Sequence, residues 1–165
     1  MAKVAVIMGS KSDLGVVKGA ITALKSFGIE VTTRVISAHR TPEEAGEFAS
    51  SAEKNGYEAL ICAAGKAAHL GGVMAAHTTL PVIGLPIKTD MMGGLDSLLS
   101  IVQMPSGIPV ATVGVNGGEN AAVLAAQILG IKYPEIAKKL KEYKCKMKDK
   151  INADDLAVQR EAEEF

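Results

Sequence analysis

The sequence predicts an α/β protein: a three-layer αβα sandwich with helices on both faces of a mostly parallel sheet, carrying a helical extension at its C-terminus. Two observations predict it. Short apolar or alternating runs bounded by Gly or Pro recur along the chain, with helix-period segments between them. That alternation implies right-handed crossovers and parallel strand pairing. The composition is 48% hydrophobic but only 4% aromatic, with no Trp and 17 Gly, so the core must be built from Val, Ile, Leu and small side chains.

Each element has its own signal. Lys3-Val4-Ala5-Val6-Ile7-Met8 is a continuous apolar strand of the kind buried on both faces, and it closes on Gly9-Ser10-Lys11-Ser12-Asp13. Val16, Val17, Ala20, Ile21, Leu24 and Phe27 recur at helical spacing, and Gly28 supplies a stop. A second strand covers 29–36. It is followed by Ser37-Ala38-His39-Arg40-Thr41-Pro42 and a helix over about 42–55, with Thr41 as N-cap and Pro42 at the first helical position.

Ala59–Ala64 reads as the third strand, leading through Gly65-Lys66-Ala67-Ala68-His69-Leu70 to a short Ala-rich helix over 73–77. Pro81–Pro86 is the fourth strand, Lys88–Gly94 a loop, Leu95–Val102 a helix, Ile108–Val113 the fifth strand and Asn120–Leu129 a further helix. Five strands with this spacing form a flavodoxin-like sheet. From Tyr133 the character changes to a Lys-rich stretch with an acidic end. At 165 residues the chain fits one well-filled core, so the expected organisation is a catalytic domain over 1–132 and a helical extension over 133–165. That extension packs on the core or on neighbouring subunits.

Charge and composition exclude several function classes. Lys plus Arg equals Asp plus Glu at 18 each, which leaves no electrostatic footprint for nucleic acid or an anionic membrane. No apolar run reaches membrane-spanning length, and strand-like sequence from Lys3 leaves no room for a secretory signal, so a cytoplasmic protein is expected. Cys62 and Cys145 have no C-x-x-C or metal spacing and read as plain thiols. His39, His69 and His77 show no H-x-H or H-E-x-x-H spacing, so no metal site is expected. His77, at a helix end, reads as a partner of the helix dipole.

The chemistry gathers at strand ends, the edge of an open α/β sheet where ligands bind. The Gly9–Asp13 turn offers unpaired N–H groups, a helix dipole and two Ser hydroxyls to an anion, although it is neither a Walker A nor a G-x-G-x-x-G motif. Asp13 serves either as a plain N-cap or as an acceptor for sugar hydroxyls. His39 and Arg40 stand side by side after the second strand. A lone pair of this kind is more often a packed His beside a solvated Arg. With the first strand central, however, the three loops become neighbours, a constellation suited to a phosphorylated small molecule handled by proton transfer.

Four segments in order, Gly9–Asp13, Ser37–Pro42, Ala67–Leu70 and Leu95–Pro105, resemble the N5-carboxyaminoimidazole ribonucleotide mutase family of purine biosynthesis. The resemblance spans nearly all of 3–130. It implies an enzyme without metal or cofactor that moves a carboxylate from the exocyclic nitrogen to C4 of the aminoimidazole ring. It further implies a cytoplasmic homo-octamer whose sites draw on neighbouring subunits.

By motif position, His39 is implied as the general acid/base. Ser10, Asp13 and Arg40 are implied to bind the ribose phosphate, with Ser12, Ser37 and Gly65 beside them, and Ala67, His69 and Leu70 to line the pocket. The same family contains enzymes that carboxylate aminoimidazole ribonucleotide directly with carbon dioxide, the alternative activity; the retained His69-Leu70 favours the mutase. Lys66 stands where the family commonly has Gly, Gly71-Gly72 stands where Pro-Gly is common, and the loop 115–120 is about two residues shorter than usual.

Two other classes share the architecture. A flavin-binding protein stacks aromatic rings on the isoalloxazine, yet Phe27, Phe48, Phe165, Tyr57, Tyr133 and Tyr143 all avoid the predicted strand ends. A receiver domain requires Asp at the end of the third strand, where this chain has Ala64-Gly65.

Overall fold

The computed structural model describes all 165 residues. Its sheet comprises β1 (Lys3–Met8), β2 (Glu30–Val35), β3 (Ala59–Ala64), β4 (Val82–Pro86) and β5 (Ala111–Thr112), in the order β2-β1-β3-β4-β5 with every neighbouring pair parallel. Val4 lies opposite Val31 on one side and Ala59 on the other, so β1 is central. The chain winds outward from β1 to β2, then crosses back to β3. That reversal opens a crevice beyond the carboxyl ends of β1 and β3, the switch point of a doubly wound sheet.

Side-chain alternation divides the core into two halves. Val4, Val6, Met8, Ile61 and Ala63 face one layer, while Ala5, Ile7, Leu60, Cys62 and Ala64 face the other. The first layer is covered by α1 (Leu14–Ser26), α5 (Gly118–Gly130) and the start of α6 (Pro134–Ala162). The second is covered by α2 (Pro42–Ser51), α3 (Leu70–His77) and α4 (Leu95–Val102). Each fully buried Ile or Leu contributes about 1.5–3 kcal/mol, and with so few aromatics the packing depends on these and on Ala. Small residues let α1 and α5 approach closely: a Cβ on Gly118 would lie 2.6 Å from the Val16 carbonyl oxygen.

Several boundaries differ from the sequence reading. The fifth strand shrinks from 108–113 to Ala111–Thr112: it is an edge strand, and Pro109 has no N–H to offer a ladder. The helix after Pro42 ends at Ser51 rather than near 55, because residues 52–56 fold into turns closed by Gly56 at φ 79°. The Ala-rich helix begins at Leu70, three residues earlier than its composition suggests, and α5 begins at Gly118. Thr41 occupies the N-cap position of α2 but makes no capping bond; its hydroxyl serves the preceding loop instead.

The tail is one helix of 29 residues. Its first turns join the core through buried Ile136 and through Tyr143, whose ring meets Phe27 edge-on at 5.6 Å. The connector before it is tied down by Glu58, which accepts hydrogen bonds from Lys132 and the Tyr133 hydroxyl. Partial burial works against the Glu58 carboxylate, but those bonds and the Lys132 charge outweigh it and hold its carboxyl below the usual range. From Lys144 to Phe165 every residue is exposed. No helix is long and apolar enough to cross a membrane.

Candidate active site

A cavity of about 800 Å³ opens at the switch point and draws on four strand ends. Because β1 lies between β2 and β3, the three loops singled out in the sequence converge there. All ten residues expected to act line it: Ser10, Ser12 and Asp13 from the β1 turn, Ser37, His39 and Arg40 from the β2 loop, and Gly65, Ala67, His69 and Leu70 from the β3 loop. No Phe or Tyr is among the lining residues.

The β1 turn is a polar cup. Ser10 caps a single 3-10 turn at Lys11–Asp13 by accepting the Ser12 N–H at 3.3 Å. The Ser12 hydroxyl lies 2.9 Å from Ser10 Oγ and 3.1 Å from Asp13 Oδ1. Asp13 precedes α1 but makes no capping bond, so the plain N-cap role fails. It is only 9% exposed, and burial pushes its carboxyl above the usual range, opposed by hydrogen bonding from Ser12 and the Ser10 backbone. A carboxylate kept in such a place, unused by the helix it precedes, is suited to accept hydrogen bonds from a ligand.

Arg40 leans from the β2 loop across the β1 turn. Its guanidinium donates to the Gly9 carbonyl at 3.1 Å and its Nε to Ser37 Oγ at 3.4 Å. The Ser37 hydroxyl also accepts the Arg40 N–H, and the Ser37 backbone bonds both ways with the Thr41 hydroxyl. The loop is thereby closed on itself, with guanidinium donors left over beside Ser10. Fixed donors of that planar geometry match phosphate oxygens.

His39 and His69 meet across the cavity. His39 Nε2 is 2.8 Å from His69 Nδ1, and the rings stand at 79° with centroids 4.9 Å apart. Such a contact requires one N–H and one lone pair, so one of the two facing nitrogens carries a proton and the other does not. His69 is the residue before α3, and its N–H donates to the Ala67 carbonyl, which turns the ring toward the β2 loop. His77 lies elsewhere, at the far end of α3, against Gly46 of α2.

Sequence reasoning missed the fourth wall. Ile87, Lys88, Thr89 and Asp90, together with Ala38, also line the cavity. The loop after β4 is anchored by the Asn116 side chain, which accepts the Lys88 N–H at 2.8 Å, and by Thr89, which donates to Asp96 at 2.6 Å. The Thr89 bond holds the Asp96 carboxyl below its usual range. The strand-end rule applied to β4 would have found these residues; no motif marks them.

The family model for AIR carboxylase matches residues 3–150. The chain belongs to the AIR carboxylase family. It is 57% identical to the N5-carboxyaminoimidazole ribonucleotide mutase of Thermotoga maritima over 151 residues, 92% of this chain and 88% of that protein. It is 60% identical to the mutase of Pyrococcus abyssi over 148 residues, covering 90% and 85% of the two chains. Among solved structures, PurE of Treponema denticola superposes with a TM-score of 0.88 at 34% identity, spanning 96% of this chain and 99% of that one. That structure therefore shares the doubly wound sheet described above.

Proposed function

We propose that this chain is an N5-carboxyaminoimidazole ribonucleotide mutase, acting in de novo purine biosynthesis. The observation that carries the reading is one cavity holding an anion-binding turn, a guanidinium and two histidines in contact, in a chain 57% identical to a protein of that name. In this reading Ser10, Ser12, Asp13, Ser37 and Arg40 hold the ribose phosphate end. Gly65, Ala67, His69 and Leu70 wall the ring.

The reaction balances within the substrate. The bond between the carboxylate carbon and the exocyclic nitrogen breaks, and a bond from that carbon to C4 forms. C4 becomes tetrahedral and must lose its hydrogen as a proton, while the nitrogen must gain one. One proton therefore passes from C4 to nitrogen, with no oxidant, reductant or net acid consumed. His39 is the carrier, since imidazole gives and accepts protons near neutrality. His69, 2.8 Å away, orients the ring and takes one side of the shared proton. The alternative is direct carboxylation of aminoimidazole ribonucleotide, in which the C4 proton leaves for solvent.

The chain is further proposed to be a cytoplasmic homo-oligomer of eight copies, with residues 1–132 as the catalytic domain and 133–165 packing on the core and on neighbours. Exposed Met147, Ile151 and Val158 recur at helical spacing on α6 and favour a partner surface there. Light scattering on an active preparation reads the copy number.

Supplying the purified protein with N5-carboxyaminoimidazole ribonucleotide alone, or with aminoimidazole ribonucleotide and bicarbonate, tests the function. Fast turnover of the first without added bicarbonate is expected. Turnover of only the second would assign direct carboxylation, and turnover of neither would contradict the reading.

A further inference from the structure

Lys66 is the one residue of the cavity wall held in a backbone conformation its side chain disfavours. Its φ is +58°, in the left-handed region where a Cβ crowds the chain and Gly is the usual occupant. The strain is imposed from α4. Fully buried Ser97 accepts the Lys66 N–H at 2.9 Å, and the Ser100 hydroxyl lies 3.4 Å from its carbonyl. A loop that only had to make this turn would do better with Gly or Asn. Backbone strain that surrounding structure maintains is a pointer to function when the strained side chain reaches a site.

Lys66 lines the cavity and is exposed, and its ammonium makes no ion pair; the three ion pairs of the chain are Lys3–Glu30, Arg34–Glu44 and Lys132–Glu58. An ordinary solvated Lys would also be exposed and unpaired, but it would not need a strained position. The strand order gives the cation its place. Arg40, from β2, bonds across to the β1 turn, which puts the phosphate-binding groups at the β2–β1 end. Lys66 follows β3, on the other side of β1. Two strand spacings, about 10 Å, therefore separate the strands that carry Arg40 and Lys66, with the histidine pair bridging the same two loops, while Lys88, the third cation of the wall, follows β4 one strand further out.

We infer that Lys66 binds the carboxylate of the substrate, at the end of the nucleotide opposite the phosphate. The inference rests on the mutase reading and adds to it a residue that separates carboxylated from uncarboxylated nucleotide. An ammonium facing a carboxylate favours ligands that carry one and gives little to the same nucleotide without it. During transfer the same cation holds the migrating group near the ring.

The test compares Lys66→Gly, Lys66→Met and Lys66→Arg with the parent protein by calorimetry, all in a His39→Asn background that binds nucleotide without turning it over, using N5-carboxyaminoimidazole ribonucleotide and aminoimidazole ribonucleotide as separate ligands. Gly suits the left-handed backbone, so Lys66→Gly is expected to melt no lower than the parent, which keeps misfolding apart from lost binding. The Gly and Met variants are expected to bind the carboxylated nucleotide roughly ten- to a hundred-fold more weakly, the range of one charge-assisted contact, while affinity for the uncarboxylated nucleotide stays within about twofold. Lys66→Arg is expected to recover most of the difference. Equal weakening for both ligands, or no weakening for either, overturns the role of Lys66 while leaving the mutase reading intact. A wild-type protein that binds neither nucleotide overturns both.

Discussion

His39 Nε2 and His69 Nδ1 stand 2.8 Å apart, although the two residues lie on loops of different strands. The pair exists because β1 lies between β2 and β3 and the three strands end nearly level, Met8 opposite Val35 and Ala63, so that the loops after β2 and β3 meet beyond its end. The rings are not equivalent. His39 is followed by Arg40, whose guanidinium is fastened to Gly9, whereas His69 is anchored by the turn before α3. A ligand held by Arg40 therefore has a fixed relation to His39.

Arg40→Lys tests the phosphate end. Lysine keeps the charge but loses the planar fork that reaches Gly9 and Ser37 while still offering donors to an anion. Affinity for the nucleotide is expected to fall roughly ten- to a hundred-fold, the effect of about 1.5–3 kcal/mol for a charged hydrogen bond. Calorimetric titration with aminoimidazole ribonucleotide measures it, and unchanged affinity would remove Arg40 from the site.

Asp13 carries a pH signature. Its folded-state pKa is raised, by burial first, so ionising it costs the free protein stability. The stability linked to Asp13 is fully present below the ordinary carboxylate pKa of about 4 and is lost as pH rises through the raised value. Asp13→Asn is therefore expected to melt higher than wild type at neutral pH without ligand, with the gap closing toward pH 4, and to bind the nucleotide more weakly. Thermal melts across that range check the sign; a variant less stable than wild type at neutral pH refutes it.

Gly118→Ala tests the close approach of α1 and α5. The added methyl would sit 2.6 Å from the Val16 carbonyl oxygen, which is backbone and cannot swing aside. A loss of about 1–3 kcal/mol is expected from such overpacking, read from denaturant unfolding. A neutral result would mean that the helices can separate without cost.

The sequence was most legible where one force decides. β1, β3 and α4 run as their apolar patterns indicate, since a strand buried on both faces or a strongly two-sided helix leaves little choice. β5 is shorter than its sequence suggests: Ile108–Val113 is apolar enough for a strand, but Pro109 and an edge position remove most of its ladder. The start of α3 was hidden by Gly71-Gly72, poor helix formers carried by packing against the sheet. At the site, residues in local motifs were readable, and they line one cavity. The β4 loop was not, because Ile87–Asp90 has no motif and gains meaning only from the strand order. The Lys66 strain was equally hidden, since it arises from Ser97, 31 residues away.

The central claim is that His39 carries the proton between C4 and nitrogen, and turnover of His39→Asn tests it most directly. Asn keeps a polar side chain of similar reach but has no group that titrates near neutrality. A positioned acid/base contributes about a hundred- to ten-thousand-fold in rate, so turnover should fall by roughly that factor while nucleotide affinity stays near wild type. His69→Asn, measured alongside, should lose less. Near-normal turnover in the His39 variant, or a dead His69 variant beside an active His39 one, would contradict the account.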